Sequence, residues 1–318
     1  MAQDEFSIIQ QYFADVGKQT ANTVLSIGDD AAVVQIPQGF QQVVSMDTLI
    51  CGVHFAADTA PADIAHKALA VNLSDLAAMA ATPDWFLLSI SLPQVDADWL
   101  RQFADGLQHT AQRFAVQLIG GDTCRGELSI SIQVAGLVPA GRFVTRAGAR
   151  PGDLLLVSGL LGNAGLGLAH QQGRIELPDE LRLRCLQALH RPQPRLELIE
   201  FLRCFASSAI DVSDGLQGDL AHILKASHCG ARIDQAALPV TPWIEQHNLY
   251  HYALGAGDDY EICCSVPQEY RAEVESWNRQ HADCYLTVIG ELTDSGFILQ
   301  VGTRQVDLAA GGGYRHFG

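Results

Sequence analysis

The sequence predicts a globular protein with two domains, each of which contains both helices and strands. It has 318 residues, 48% of them apolar, which is enough for two hydrophobic cores of about 150 residues each. Helical and strand patterns alternate along the chain, and residues 148–153 (GARPGD) have the glycine and proline content of a linker turn. We therefore expect domains at 1–145 and 146–318.

The first half predicts three helices and five strands. Its first helix has apolar residues at helical spacing and ends before Gly17, and Pro61 suits the first position of a long helix. Pro37 and Gly39 separate two short β-like runs, and the last strand of this half alternates between apolar and polar residues. The predicted helices are 5–16, 61–81 and 96–114, and the predicted strands are 32–36, 42–47, 85–92, 116–123 and 127–138.

The second half repeats this mixture. A strand at 154–159 leads into a glycine-rich turn, and the acidic turn DVSDG (211–215) precedes a helix at 216–228. The chain ends in the glycine-rich segment GGGYRHFG (311–318). The other predicted helices are 178–190, 195–204 and 267–280, and the other strands are 207–210, 261–266 and 285–290.

The composition argues against several classes of protein. A formal net charge of −16 disfavours nucleic-acid binding, which needs clustered Lys and Arg. No uninterrupted apolar run of about 18 residues occurs, so no membrane span is predicted. The N-terminus carries Asp and Glu where a signal peptide carries Lys or Arg, and the eight scattered cysteines form no CxxC pair. We therefore expect a cytoplasmic protein.

Acidic residues recur where predicted strands end or turns begin. Gly-Asp-Asp occurs at 28–30 and again at 257–259, and Asp75 lies on the apolar face of the helix 61–81. Clustered carboxylates repel each other and are costly to desolvate, so such a cluster needs a cation. Magnesium is the natural candidate because it takes hard oxygen ligands and shares them with phosphates. The acids concerned are Asp29, Asp30, Asp47, Asp75, Asp122, Asp211, Asp214, Asp258 and Asp259.

Structural explanations stay open for parts of this pattern. Asp and Gly are ordinary turn residues, and DVSDG can cap the helix 216–228 with Ser213 as the N-cap. His54 on its own is an ordinary surface or core histidine. The chain has no P-loop and no protein-kinase motif, and the glycines of 158–168 fit a strand-to-helix turn better than a dinucleotide site.

Seven motifs together resemble the thiamine-monophosphate kinase family, in the same order and over nearly the whole chain. They are GDDAA (28–32), SMDTLICGVHF (45–55), NLSDLAAM (72–79), GGDT (120–123), TRAGARPGD (145–153), DVSDGL (211–216) and GDDYEI (257–262). The resemblance implies an N-terminal α/β domain that forms a dimeric β-barrel, a C-terminal α+β domain, and ATP between the two. It also implies Mg²⁺-assisted transfer of the γ-phosphate of ATP directly to thiamine monophosphate, with no side chain acting as a nucleophile.

The resemblance further implies roles for individual residues. The implied ATP contacts are Gly121, Arg146 and Ser213, and the implied thiamine-phosphate contacts are His54, Glu261 and Tyr314, with Phe317 as the alternative tail aromatic. An aromatic ring there can make a cation–π contact with the thiazolium ring. The implied Mg²⁺ ligands are Asp30, Ser45, Met46 through its backbone, Asp47, Asp75, Asp122, Asp211 and Asp214.

Rival activities are distinguished by small features. A selenophosphate synthetase needs a reactive Cys or selenocysteine near the N-terminus, yet the first cysteine here is Cys51. An aminoimidazole-ribonucleotide synthetase-like ligase or cyclase fits the motifs GDDAA and SMDTL less closely. A metal-dependent phosphohydrolase or a non-catalytic ATP-binding scaffold could use the same acids, but only a kinase requires the acceptor for turnover.

Overall fold

The computed structural model describes residues 5–282 and 284–308 of the chain. Contacts divide the chain into two compact units, the first formed by Met1–Leu76 and Ala81–Arg142, and the second by Ala77–Ala80 and Phe143–Gly318. No helix in the described part of the chain is long and apolar enough to cross a membrane. The functions expected for domains 1–145 and 146–318 stay predictions.

The first unit combines a central sheet with two long helices. Its strands are β1 (Thr23–Leu25), β2 (Val33–Val34), β3 (Phe40–Ile50), β4 (Thr82–Leu92), β5 (Gln117–Arg125) and β6 (Ser129–Pro139). Its helices are α1 (Glu5–Ile8), which continues as a π-helical segment at Ile9–Phe13, α2 (Pro61–Ala78) and α3 (Ala97–Arg113).

The central sheet has the strand order β3-β6-β4-β5. Strand β6 pairs antiparallel with β3 and with β4, whereas β4 and β5 are parallel. The strand predicted at 32–36 is only the two-residue β2, which pairs with β1 outside this sheet. Within the described residues of one chain the sheet stays open, so β3 is an edge strand.

Helix α2 is buried because it is apolar around most of its circumference. Leu69, Leu73 and Leu76 are completely buried. The helix ends at Ala78 rather than at the predicted residue 81, because Ala80 adopts a left-handed φ of +55°. The N–H of Ala81 then donates to the carbonyl of Leu76 at 2.8 Å, which closes the helix end.

The second unit contains a seven-stranded sheet flanked by helices. Its strands are β7 (Leu154–Ser158), β8 (Ser208–Asp211), β9 (Gly230–Asp234), β10 (Ile262–Val266), β11 (Leu286–Thr293), β12 (Phe297–Val301) and β13 (Arg304–Asp307). Its helices are α4 (Asn163–Gln171), α5 (Asp179–His190), α6 (Ile199–Phe205), α7 (Leu216–Ser227), α8 (Pro242–Gln246), α9 (Tyr250–Gly255) and α10 (Arg271–Gln280).

The strand order of this sheet is β13-β12-β9-β11-β7-β10-β8, and only β9 and β12 pair in parallel. Alternate residues of β7 enter different hydrophobic cores: Leu155 and Val157 join one, and Leu154 and Leu156 join the other. Since successive side chains of a strand point to opposite faces, this sheet is covered on both sides. That is why β7 is apolar along its whole length.

Several elements of the second unit were not predicted. The strands β9, β12 and β13 and the helices α8 and α9 are short, and helix α4 contains two glycines in nine residues. These glycines are needed for close packing: a Cβ on Gly165 would lie 2.3 Å from Cβ of Ala256, and one on Gly167 would lie 2.5 Å from the Cys185 carbonyl oxygen. Low intrinsic helix propensity is therefore overridden by packing.

Candidate active site

The first unit places two of the predicted ligand residues in direct contact. Ser45 on strand β3 donates a hydrogen bond from Oγ to Oδ2 of Asp75 on helix α2, at 2.5 Å. Two residues further along β3, the backbone N–H of Asp47 donates to Oδ1 of Asn72 at 2.9 Å. The Asn72 amide is itself held, because its Nδ2 donates to the Ala68 carbonyl at 2.9 Å. The strand and the helix are thus connected through these polar groups.

The electrostatics of the Asp47 and Asp75 carboxylates favour a bound cation. Burial, and then the neighbouring charge of Asp75, raise the pKa of Asp47 to about 6. Two carboxylates that share a partly buried site repel each other, and a divalent cation relieves that repulsion. The carboxylates and the Ser45 hydroxyl are hard oxygen donors, so they fit Mg²⁺.

The larger acid cluster expected from the sequence is not assembled as a preformed cage. In residues 5–282 and 284–308, no three His, Cys, Asp or Glu side chains form a group that could hold a metal ion. Asp30 is exposed in a turn, where its N–H donates to Oδ1 of Asp29 at 2.8 Å. Met46 is 59% exposed on the edge strand β3. Asp122 is exposed on β5.

Gly121 precedes Asp122 and cannot be replaced without strain. Its φ is +154°, and an added Cβ would lie 1.7 Å from the Leu88 carbonyl oxygen. The glycine therefore lets β5 run close to β4 at the residue before the acid. This gives a physical reason for the second glycine of GGDT.

His54 lies in the turn after β3 with one ring nitrogen committed. Its Nδ1 accepts a hydrogen bond from the Ile50 N–H at 3.0 Å. A neutral His54 ring therefore carries its proton on Nε2. The ammonium of Lys67, which is 3% exposed, donates to the His54 carbonyl at 3.2 Å. The hydrogen bond from this buried lysine holds the turn in place. The sequence did not predict this role.

In the second unit, the two acidic loops are connected by backbone hydrogen bonds. The N–H groups of Asp258 and Tyr260 donate to the carbonyls of Ser213 and Val212, each at 2.8 Å. Asp258 and Tyr260 have φ values of +63° and +50°, and Gly257, the first residue of the second loop, has +75°. Left-handed backbone at non-glycine residues is unusual and marks a segment that its surroundings hold in place.

Asp219 organises the DVSDG loop. It is buried on the first turn of α7, and its Oδ2 accepts a hydrogen bond from the N–H of Asp214 at 3.0 Å. Burial raises the pKa of Asp219 to about 7, against the opposing effect of backbone N–H donors. The structure places Gly215, not Ser213, at the N-cap of this helix. The expectation that Ser213 is the N-cap is therefore wrong.

Asp259, in the second Gly-Asp-Asp, has a structural role. Its two carboxylate oxygens accept hydrogen bonds from the N–H of Gly162, at 3.0 and 2.8 Å, at the start of α4. Burial of this carboxyl raises its pKa well above the ordinary value. A carboxylate at a helix N-terminus also compensates the helix dipole.

Glu261 borders a cavity of about 810 Å³ in the second unit. Its carboxylate accepts hydrogen bonds from Arg195 and from the Ser158 hydroxyl. Asn163, Tyr285 and other residues line the same cavity.

The remaining predicted contacts are less constrained. Asp211 is buried at the end of β8, whereas Ser213 and Asp214 are partly exposed in the following loop. Arg146 is exposed, and its carbonyl accepts a hydrogen bond from the Ser227 hydroxyl at 3.0 Å. The predicted tail aromatics, Tyr314 and Phe317, lie outside the described residues.

Comparison with known proteins identifies the family. Residues 28–138 match the family model of the AIR synthase related protein, N-terminal domain, and residues 150–302 match that of the C-terminal domain. Thiamine-monophosphate kinase of Escherichia coli (strain K12) is 46% identical over 298 residues, covering 92% of this chain and 91% of that protein. The chain belongs to the thiamine-monophosphate kinase family. The family resemblance inferred from the seven motifs is thereby confirmed.

Solved structures of the family agree with the fold. The crystal structure of thiamine-monophosphate kinase from Stenotrophomonas maltophilia K279a has a TM-score of 0.83 at 40% identity, covering 89% of this chain and 92% of that one. A second structure, AaThiL complexed with AMPPCP and TMP, has a TM-score of 0.74 at 28% identity, covering 89% and 91%. The two-domain α/β architecture is therefore that of the family.

Proposed function

We propose that this protein transfers the γ-phosphate of ATP to the phosphate of thiamine monophosphate, forming thiamine diphosphate and ADP. The observation that carries the proposal is the Asp47–Asp75 pair with its Ser45 hydroxyl, in a chain 46% identical to a thiamine-monophosphate kinase. A relative is solved with AMPPCP, an ATP analogue, and with TMP. The proposed substrates are ATP and thiamine monophosphate.

Mg²⁺ is the proposed cofactor. Asp47, Asp75 and Ser45 would hold it in the first unit, because their oxygen atoms suit a hard cation and their charge calls for one. Bound Mg²⁺ would neutralise the charge on phosphate oxygens and align them. Asp30, Asp122, Asp211, Asp214 and the Met46 backbone are proposed as further ligands.

The side chains mainly orient the reactants. A phosphate monoester has a second pKa of about 6, so the acceptor is already an anion at neutral pH and needs no strong base. His54, with its Nδ1 occupied, can donate from Nε2 to an acceptor phosphate oxygen. Gly121, Arg146 and Ser213 are proposed to contact ATP, and Glu261 and Tyr314 to contact the thiamine part. We propose direct in-line transfer with no phosphorylated protein.

A homodimer is the proposed assembly. Strand β3 is an edge strand, and one of its faces exposes large apolar side chains: Phe40 is 42% exposed, Val44 52%, Met46 59% and Ile50 41%. An exposed apolar edge strand favours pairing with another chain. A second copy of the same strand would cover it across a two-fold axis and extend the open sheet towards a barrel.

The proposed compartment is the cytoplasm. All eight cysteines are free thiols, and four of them, Cys185, Cys263, Cys264 and Cys284, are buried. Unpaired cysteines in this number are typical of a reducing compartment. Nucleic acid and membranes are not among the proposed partners, in line with the net charge of −16.

Acceptor-dependent ADP release tests the function. The purified protein with ATP and Mg²⁺ should release ADP only when thiamine monophosphate is present. Asp47→Asn or Asp122→Asn should nearly abolish turnover while circular dichroism stays unchanged, and exposed Asp58→Asn should serve as the active control. ADP and inorganic phosphate without acceptor would instead indicate a phosphohydrolase. Near-normal turnover in both active-site variants would contradict the assignment of the acids.

A further inference from the structure

The loop DVSDG (211–215) is held through its backbone N–H groups by one buried carboxylate. Asp219 is 4% exposed, and its Oδ2 accepts a hydrogen bond from the Asp214 N–H at 3.0 Å. The N–H groups of Ser213 and Gly215 also donate to this carboxylate. A single side chain therefore accepts hydrogen bonds from three consecutive N–H groups of the loop.

The segment around the second Gly-Asp-Asp supports the same loop from the chain beyond α9. The Glu261 carbonyl accepts a hydrogen bond from the Val212 N–H at 2.7 Å. Gly257 permits the close approach of the two loops, because an added Cβ would lie 2.6 Å from the Ser213 carbonyl oxygen. The N–H groups of 212–215 are thus all bonded within the second unit, and the protein itself fixes the loop backbone.

This arrangement makes the N–H groups of 212–215 unavailable to a phosphate. N–H groups at the start of a helix commonly bind phosphate, because they point at the ligand and the helix dipole favours an anion. In this loop the anion is Asp219 itself. The side chains of Ser213 and Asp214, by contrast, are partly exposed. The loop therefore presents a carboxylate to a ligand, and a carboxylate repels a bare phosphate and attracts a metal ion.

The charges of the loop act in the same direction. Asp211 and Asp219 are both buried, and Asp214 lies between them in sequence. Burial raises the pKa of Asp219, and the charge of Asp214 also raises it, against the effect of the N–H donors. Asp214 and Asp219 are therefore close enough to repel each other. A metal ion at Asp214 would relieve this repulsion, whereas a nucleotide without metal would add to it.

We propose that Asp219 is a positioning residue that makes the second unit's contact with ATP depend on Mg²⁺. Its carboxylate occupies the anion position of the loop from inside the protein and fixes the backbone that carries Ser213 and Asp214. A phosphate is then held at this loop through a metal ion on the outward carboxylate and not through N–H groups. This inference rests on the proposed function, in which Ser213 contacts ATP and Asp214 contacts Mg²⁺.

Calorimetric titration with AMPPCP, an ATP analogue that is not hydrolysed, tests this role through the ratio of two affinities. Each protein is titrated at pH 8, above the pKa of about 7 of Asp219, once with Mg²⁺ and once with a chelator. Asp219→Asn should bind Mg-AMPPCP about 10-fold more weakly, because an amide cannot accept all three N–H groups. It should bind metal-free AMPPCP as tightly as the wild type or up to about 10-fold more tightly, because a negative charge near the phosphates is removed. The preference for the Mg²⁺ form should therefore fall at least ~10-fold.

Asp96→Asn is the matched control. Asp96 is the N-cap of α3, where its Oδ1 accepts hydrogen bonds from the N–H groups of Asp98 and Trp99 at 3.0 and 3.1 Å, and it belongs to none of the predicted sites. Asn is an equally good N-cap, so both affinities should stay within about 2-fold of wild type. In turnover assays Asp219→Asn should raise KM for Mg-ATP about 10-fold and leave KM for thiamine monophosphate within about 3-fold of wild type.

Hydrogen exchange of the wild type gives a second measurement that needs no variant. The amides of Ser213, Asp214 and Gly215 should be protected without nucleotide, because each donates a hydrogen bond within the protein. Mg-AMPPCP should add little to that protection. Fast exchange without nucleotide, with protection only in its presence, would show that these N–H groups bind the phosphate and would overturn the inference.

The outcomes distinguish this inference from the proposed function. A preference for the Mg²⁺ form that stays within about 2-fold of wild type in Asp219→Asn overturns the positioning role, since general damage to the loop weakens both affinities alike. A reduced preference, with protected amides in the wild type, supports it. A wild type that binds Mg-AMPPCP but forms no thiamine diphosphate contradicts the proposed function, while the two affinities still decide the role of Asp219. A wild type that binds no nucleotide overturns both.

Discussion

Replacing Asp47 with Asn should make the metal-free protein more stable while removing its activity. Burial and the charge of Asp75 raise the pKa of Asp47 from 3.8 to about 6 in the folded protein. The folded state therefore binds a proton more tightly than the unfolded state does. Ionised Asp47 opposes folding, and an amide of the same shape removes that penalty.

The magnitude follows from the pKa difference. A shift of about two pKa units corresponds to roughly 3 kcal/mol, and partial exposure of Asp47 reduces the expected measured gain to about 1–3 kcal/mol. The sign follows from the raised pKa: the penalty is absent below about pH 4, grows as the pH rises towards 6, and is complete above it. The variant should therefore exceed the wild type in stability at pH 8 and match it near pH 4.

Urea unfolding followed by circular dichroism measures this difference. Both proteins are unfolded at several pH values between 4 and 8 in the presence of a chelator, with exposed Asp58→Asn as the control expected to lie within about 0.5 kcal/mol of wild type. Added Mg²⁺ should then stabilise the wild type and not Asp47→Asn, because only the former keeps the ligand. If Asp47→Asn is no more stable at pH 8 than the wild type, the reasoning about the carboxylate pair is refuted.

Three other predictions address the backbone, the assembly and the route of transfer. Gly121→Ala should lower the free energy of unfolding by at least ~2 kcal/mol in urea titrations, because its Cβ would lie 1.7 Å from the Leu88 carbonyl oxygen; a change below ~0.5 kcal/mol would contradict this. Light scattering at micromolar concentration should give a dimer mass, and Val44→Lys should shift it to the monomer, because the exposed apolar edge of β3 is covered in the dimer; a monomeric wild type would rule out that interface. Incubation with γ-labelled ATP and Mg²⁺ without acceptor should leave no alkali-stable label on the chain. Stoichiometric label that chases into thiamine diphosphate would instead show that a histidine acts as a nucleophile, with His54 as the first candidate.

The sequence was most informative where local chemistry determines structure. Pro61 marked the start of α2, and the seven spaced motifs indicated the family that the comparison confirms. The sequence did not predict helix α4, because its two glycines are required for close packing against Ala256 and Cys185, which are distant in sequence. The strand predicted at 32–36 is longer than the observed two-residue β2, because a β-like run of residues does not show which strand it pairs with.

The same limit explains which site residues were missed. Asn72 begins the motif NLSDLAAM, but its hydrogen bond with the Asp47 backbone depends on how β3 packs on α2. Arg195 and Glu261 are 66 residues apart, and no local pattern connects them. Asp219 belongs to none of the seven motifs, yet it holds the loop that precedes its helix. Long-range contacts of this kind follow from the fold and not from a motif.

Phosphorus NMR of one reaction mixture tests the proposed phosphoryl transfer. Wild-type protein is incubated with ATP, Mg²⁺ and thiamine monophosphate, and the phosphorus signals are followed with time. We expect the thiamine monophosphate signal to be replaced by the two coupled signals of thiamine diphosphate, one equivalent for each ADP formed, with no inorganic phosphate. Inorganic phosphate that accumulates with ADP while thiamine monophosphate persists would contradict it, since the protein would then hydrolyse ATP without using the acceptor.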